Sequence, residues 1–449
     1  MHFRKGFIIK TLIFLTVFSP GSSPAQTVTL GNGSGNIYYD GKGVKLSIIK
    51  IRAGEYTGVT IANVTGQDSL HPVLIINDSG QVASTAGSDA GFELSNCRYI
   101  HFTGTGDPGT TYGFKSTGGS TGSFDAHYGS SDIEIDHLEC GGSGYAGIVF
   151  RTYPSDGCQW SISGGWAIHN MIIHDNFVHD VGGEGMYLGQ SHYGDIAANG
   201  YDPVNNPLVQ QGHSCAGGNE SPVIGAHIYR NIVRNVGFDG IQLSGCIANC
   251  SITDNTIVGF ATSNVDGQDG GITWNPGCVG KIEHNYIEYV GHGVCMGIMY
   301  QGQGDTYITN NTLVGGGNGQ VGLALLRNTS ANIKGSNHHN IYISKNIITG
   351  FTTGYWWFGA NGFGSNTFFT ENKVQAQNLY YVGNGDISTL QKKTNLEIGG
   401  SWISGLMTKL GHRKKWIAAA SAFFALLLLV IFIRSRRKKN HKSGILVAI

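Results

Sequence analysis

The chain has 449 residues, 70 of them glycine, and only 13% are charged. Its 29 basic and 29 acidic residues balance, so there is no global positive field to hold nucleic acid, and that class of partner is excluded. Glycine at about twice the usual share, with recurring Asn, Thr, Ser, Ile and Val, suits short strands between tight turns.

In chain order, the first segment has a basic start (Arg4, Lys5, Lys10), an apolar run from Leu12 to Phe18 and a small-residue exit, SSPAQ. This pattern predicts a signal peptide over residues 1–25, cut after Ala25. Next come LSIIKIRAGEYTGVTIANV, HPVLIINDSG and GFELSNCRYIHFTG, whose alternation predicts strands that form the first rungs and an amino-terminal closure.

From residue 133 onward a repeat emerges. Eight segments, from IEIDHL to FTENKV, share an apolar residue, two variable residues, Asn or Asp, one variable residue and a second apolar residue. The polar column reads Asp136, Asn176, Asn231, Asn255, Asn285, Asn311, Asn346 and Asn372. Between these segments stands glycine followed by an apolar strand: GIVF, GMYL, GIQL, GITW, GIMY, GLAL and GYWW. The shortest interval, Asn231 to Asn255, is 24 residues, about one coil of three short strands; longer intervals imply loop insertions. The fold class predicted is all-β, a right-handed parallel β-helix over residues 26–385, with the Asn column stacked as a structural ladder.

Beyond about Val382 the repeat fades, and residues 386–412 read as cap and tether. Trp416 to Ile433 carries no charge and is long enough to cross a bilayer, predicting a transmembrane helix over 413–434. Arg413, Lys414 and Lys415 precede it, and Arg434, Arg436, Arg437, Lys438, Lys439 and Lys442 follow. The heavier cluster predicts a cytoplasmic tail over 435–449 and a single-pass type I protein of the cell membrane, its β-helix on the extracytoplasmic side. All eight cysteines fall in that exterior part. The expected disulfides are Cys158–Cys215 and Cys246 with Cys278 or Cys250, buried thiols being the alternative.

Three acids precede the glycine strands: Glu184 in GEGMYL, Asp239 in GFDGIQL and Asp269 in QDGGITW. Stacked on adjacent rungs, such carboxyls would repel one another, raise at least one pKa and supply an acid and a base. Asp before Gly also simply suits a turn. Arg151, directly after GIVF, is the best-placed cation for a substrate carboxylate, with Arg230, Arg234 and Lys281 as others. Tyr153, Trp274 and Tyr300, at or near strand ends, are candidate sugar-stacking residues. His169, His174 and His179, and the pair His338 and His339, are expected at the surface, because five-residue spacing does not gather ligands on one face of a strand; no metal site is assigned to them. Calcium is the cofactor that Glu184, Asp239 and Asp269 would suit.

These motifs resemble the pectate-lyase-like β-helix superfamily of polysaccharide lyases and polygalacturonase-type hydrolases. IRAGEY followed by HPVLIIND is similar to the opening of its alginate- and chondroitin-acting lyase branch. GFDGIQL, QDGGITW and GHGVCMG are similar, in order and spacing, to the polygalacturonase catalytic motifs, which adds His292 to the candidate catalytic residues. Phe238 and Gly270 depart from those motifs, and no substrate-clamping Arg-x-Lys follows near GLALLRN. The resemblance implies a protein that acts on or binds polysaccharide, cleaving an acidic polysaccharide by hydrolysis or β-elimination; the alternative is a non-catalytic surface platform for glycan or protein.

Overall fold

A computed structural model describes residues 25–87, 89–152, 166–191, 221–291, 293–302, 304–326, 340–358, 367–382 and 396–397. Within them, 30 strands join in one continuous sheet whose strand pairings are all parallel. Each strand in the middle of the chain hydrogen-bonds to the strand three further on: Ile148–Phe150 to Met186–Leu188, that to Ile241–Leu243, and that to Gly270–Trp274. The chain therefore winds as a three-sided coil, one strand per side per turn. We label the sides by one rung: face A holds Ile168–His174, face B Phe177–Val181 and face C Met186–Leu188. Early in the coil a single long strand, Leu46–Ala62, bends around all three faces.

Inward columns explain the repeat. On face A, Ile173, Ile228, Ile252, Ile282, Ile308 and Ile343 are fully buried; face B contributes Val178, Val233, Ile257, Ile287, Leu313 and Ile348. Successive side chains alternate across a strand, so every second residue enters the core. The glycine before each face-C strand has a different cause. A Cβ on Gly185 would lie 2.4 Å from the Gly240 carbonyl oxygen, and one on Gly240 would lie 2.4 Å from that of Gly271. The rungs approach too closely at this corner for any side chain.

The Asn ladder fills the corner between faces A and B. Asn176, Asn231, Asn255, Asn285, Asn311, Asn346 and Asn372 are buried, each of the first six donating its side-chain amide to the next Asn Oδ1 at 3.0–3.1 Å. The residue before each Asn adopts a left-handed conformation, from Asp175 (φ 54°) to Glu371 (φ 58°). Such conformations cost a non-glycine residue on the order of 1–2 kcal/mol, and here the ladder's hydrogen bonds hold them in place.

Asp136 is not the ladder's first member. His174 pairs with Asp136 and Glu139 with Phe177, so the position facing Asn176 one rung earlier is Leu138. The sequence pattern is satisfied at Asp136 two residues out of register, and the carboxylate faces the outer side of face A. Strand pairing continues past the faded repeat, since Leu396–Glu397 lies against Lys373 and Val374. Cys246 bonds to Cys250, while Cys97, Cys140, Cys278 and Cys295 are buried thiols. Cys158 and Cys215, residues 1–24 and residues 398–449 lie outside the described residues. No helix among the described residues is long and apolar enough to cross a membrane.

Mid-ladder, Asn285 accepts from the backbone and side-chain amides of Asn255, and donates to Asn311 and to the Ile252 and Glu283 carbonyls. Asn285→Ala orphans several of these buried groups at about 1–3 kcal/mol each, so urea denaturation should show a loss of roughly 3 kcal/mol or more. A loss below about 1 kcal/mol would mean that the ladder contributes little to stability.

Candidate functional site

The outer side of face C carries polar residues at the positions that alternate with the core. Thr60, Glu93 and Asp125 stand in one column, followed by Val149, Tyr187, Gln242 and Thr273. A cleft of about 370 Å³ opens over the upper part of this column, lined by Asp89, Glu93, Asp125, His127, Tyr145 and Arg151 among others. His127 Nε2 lies 2.8 Å from Glu93 Oε1, and its Nδ1 lies 3.8 Å from Asp125 Oδ2. The hydrogen bond from His127 holds the Glu93 carboxyl below its ordinary range. Burial has the opposite effect on Asp125, raising its pKa to about 6 against the pull of His127 and Arg151. Arg151 stacks its guanidinium over Tyr187, 4.3 Å from the ring centre, and stands 5.8 Å from that of Tyr145.

The three predicted acids converge on the neighbouring rungs. Register places Glu184 over Asp239 and Asp239 over Gly270, so Asp269 lies one residue before the third place in the column. Gly270 is required there: a Cβ would fall 2.2 Å from Thr273 Oγ1 and 3.2 Å from Asp239 Oδ1. Its N–H instead donates to Asp239 Oδ1 at 2.7 Å. Asp239, only 1% exposed, is pushed well above the usual carboxylate range, first by burial and then by the charges of Glu184 and Asp269. Burial raises Glu184, which the nearby Arg151 opposes. Asp269 is raised to about 6 by burial and by Asp266. Glu184 Oε2, Asp239 Oδ2 and both Asp269 oxygens are buried without a hydrogen-bond partner among the described residues.

Other expectations fare differently. Trp274 and Tyr300 are wholly buried and share the inward column of Phe150, Leu188 and Leu243, so they fill the core and present no face to a sugar. Their polar ends are satisfied internally, Trp274 Nε1 by the Cys278 carbonyl at 3.2 Å and the Tyr300 hydroxyl by the Gly304 carbonyl at 3.4 Å. Arg230 is committed to Asp175 at the corner between faces A and B. His174 is buried on face A, a departure from the surface placement expected of it. Tyr153, His292, His338 and His339 lie outside the described residues. The sequence reading missed Glu93, Asp125, His127, Tyr145 and Tyr187. Their signal was alternation: Phe92 and Leu94, then Phe124 and Ala126, point inward, which sends Glu93, Asp125 and His127 outward.

In structure the chain is similar to the mannuronan C-5 epimerase AlgE4 A-module of Azotobacter vinelandii, with 13% identity and a TM-score of 0.30 over 76% of this chain and 91% of that one. No protein-family model and no curated protein matches the chain. The three-sided parallel coil itself is the all-β parallel solenoid that the sequence repeat predicts.

Asp239 gives a test of the buried acids. Its carboxyl holds a proton more tightly folded than unfolded, so between the unfolded pKa near 4 and the raised folded one the native state binds more protons, and stability falls as pH rises. Asp239→Asn should therefore raise the melting temperature relative to native protein at about pH 8, with the gain shrinking towards about pH 4. An equal change at both pH values would show that folding leaves the Asp239 pKa unraised.

Proposed function

We propose that the protein binds an acidic polysaccharide in the face-C cleft and cleaves it by β-elimination. The observation that carries this reading is Arg151, stacked on Tyr187 beside Asp125, a carboxyl whose pKa lies at about 6. A guanidinium at that place suits a uronate carboxylate, whose charge must be neutralised before the neighbouring C–H becomes acidic. Ionised Asp125 takes that proton, the electron pair forms the carbon–carbon double bond, and the β carbon–oxygen bond breaks. His127, oriented by Glu93, returns a proton to the leaving oxygen in its imidazolium form. Tyr145, which lines the cleft, offers an aromatic face to the sugar rings.

Within this reading the coil lies outside the cytoplasmic membrane, anchored by residues 413–434. Calcium would be suited by Glu184, Asp239 and Asp269, whose buried oxygens are of the type it accepts. The same three acids favour hydrolysis as the second reading, because raised pKa values supply a protonated acid near neutrality.

Incubation with a panel of uronate polysaccharides should yield products with the ultraviolet absorbance of an unsaturated sugar. The rate should trace a bell, rising with pH up to about 6 as Asp125 ionises and falling at higher pH where the protonated general acid is lost. Asp125→Asn should lower kcat/KM by roughly 10²–10⁴-fold, and Arg151→Gln should lower it most on the more highly charged substrates. Reducing ends without that absorbance, lost in Asp269→Asn, would replace elimination by hydrolysis. Binding without either product would leave the non-catalytic platform.

A further inference from the structure

On face A, register brings a second group of side chains together. His101 pairs with Glu134, and Thr103 with Asp136, which pairs in turn with His174. His101 Nε2 lies 2.5 Å from Asp136 Oδ2, His174 Nε2 lies 2.8 Å from Glu134 Oε1 and 3.8 Å from Asp136 Oδ2. One ligand atom each from His101, Glu134 and Asp136 falls within a span of 4.8 Å.

We propose that His101, Glu134, Asp136 and His174 form a site for one divalent first-row transition ion, best matched by zinc. The donor set, two imidazole nitrogens and two carboxylates, is one that zinc accepts. Metal–ligand arms of about 2.0–2.1 Å place the donors of a tetrahedron about 3.3 Å apart. The observed separations of 2.5, 2.8 and 3.8 Å bracket that edge for three donor pairs; His101, Glu134 and Asp136 already share one 4.8 Å span, and His174, 2.8 Å from Glu134 and 3.8 Å from Asp136, turns inward to complete the set.

The supports behind the donors are those of a built site. His174 Nδ1 faces Asp175 Oδ2 at 2.7 Å, and Arg230 grips Asp175 through Nε and Nη2 at 2.9 and 2.5 Å. That carboxylate fixes the tautomer that turns Nε2 toward the cluster. The His174 ring also stacks on Tyr229, centre to centre at 4.7 Å. Asp136 Oδ1 is occupied by Thr103 Oγ1 at 2.6 Å and His137 Nδ1 at 2.5 Å, which leaves Oδ2 aimed at His101 and His174. Asp136 and His174 are buried, whereas the side chains of His101 and Glu134 are 26% and 35% exposed and give an ion its way in. Four protein donors make a closed, structural site that clips three successive rungs.

The test is independent of polysaccharide cleavage. The full chain, stripped with chelator, is titrated with zinc in a calorimeter and melted with and without the ion. One ion per chain and a zinc-dependent rise in melting temperature are expected. His101→Ala and Glu134→Gln should each weaken binding at least about tenfold and shrink that rise, with metal-free melting close to native. His71→Ala, at an exposed turn beside Asp68, should change neither. Cobalt in place of zinc should give the visible absorption of a tetrahedral centre. No saturable binding, affinity unchanged in both variants, or cobalt bound without that absorption would each overturn the proposal.

Discussion

Hydrogen bonding between parallel rungs, at a repeat near 4.8 Å, is the constraint on which this structure depends. It makes each residue's neighbours those one turn earlier and one turn later, however many residues intervene. Asn176 meets Asn231 across 55 residues and Asn231 meets Asn255 across 24, with nearly the same geometry. An insertion between rungs is thus tolerated as long as it leaves the coil at a corner, and the columns resume in register behind it. The interior imposes its demands once per turn: a branched apolar residue on face A, an amide at the A–B corner and no side chain at the B–C corner.

Those demands are why much of the fold could be read from the sequence. Ile, Asn and Gly recur because each answers a steric or hydrogen-bonding condition that every rung repeats. Asp136 shows where the reading failed. A polar residue three positions after Ile133 satisfies the linear pattern, yet Ile133 pairs with Met171 and Ile135 with Ile173, so the true equivalent of Asn176 is Leu138. Linear pattern and spatial register differ by two residues, a shift that preserves in–out alternation and so leaves no trace in hydropathy. Trp274 and Tyr300 illustrate the reverse: parity alone places the fourth residue of GITW and of GIMY inside, and their aromatic character was a weaker guide than their position.

The site was less readable than the fold, because its groups come from rungs lacking the full repeat. Glu93, Asp125 and His127 sit in strands upstream of the first ladder Asn, where only alternation marks them as outward. Asp239 and Asp269 looked equivalent from their shared Asp-Gly, but the strand after Asp269 is longer by one glycine, and Gly270 takes the place beneath Asp239. Similar motifs in sequence need not stack when one of them carries an extra residue.

The ladder's upper end also divides the coil electrostatically. Below it the A–B corner satisfies its own carbonyls through Asn amides, and the outer side of face A becomes aromatic, with Tyr307, Tyr342 and Phe368 stacked at 4.8 and 5.2 Å. Above it Leu138 offers no amide, and charged and imidazole groups gather on the outer sides of both A and C in the same few rungs. On face C the charges run on past the ladder's end: Arg151 stands near Asp125 and Glu184, and Asp239 and Asp269 follow on rungs that already carry ladder amides. Burial raises every one of these carboxyls, and a neighbouring acid adds to it at Asp125, Asp239 and Asp269, so the cluster holds protons that isolated acids would release. Any cationic or proton-exchanging event on this surface is therefore favoured first in those rungs, where the rigid coil prevents the acids from moving apart.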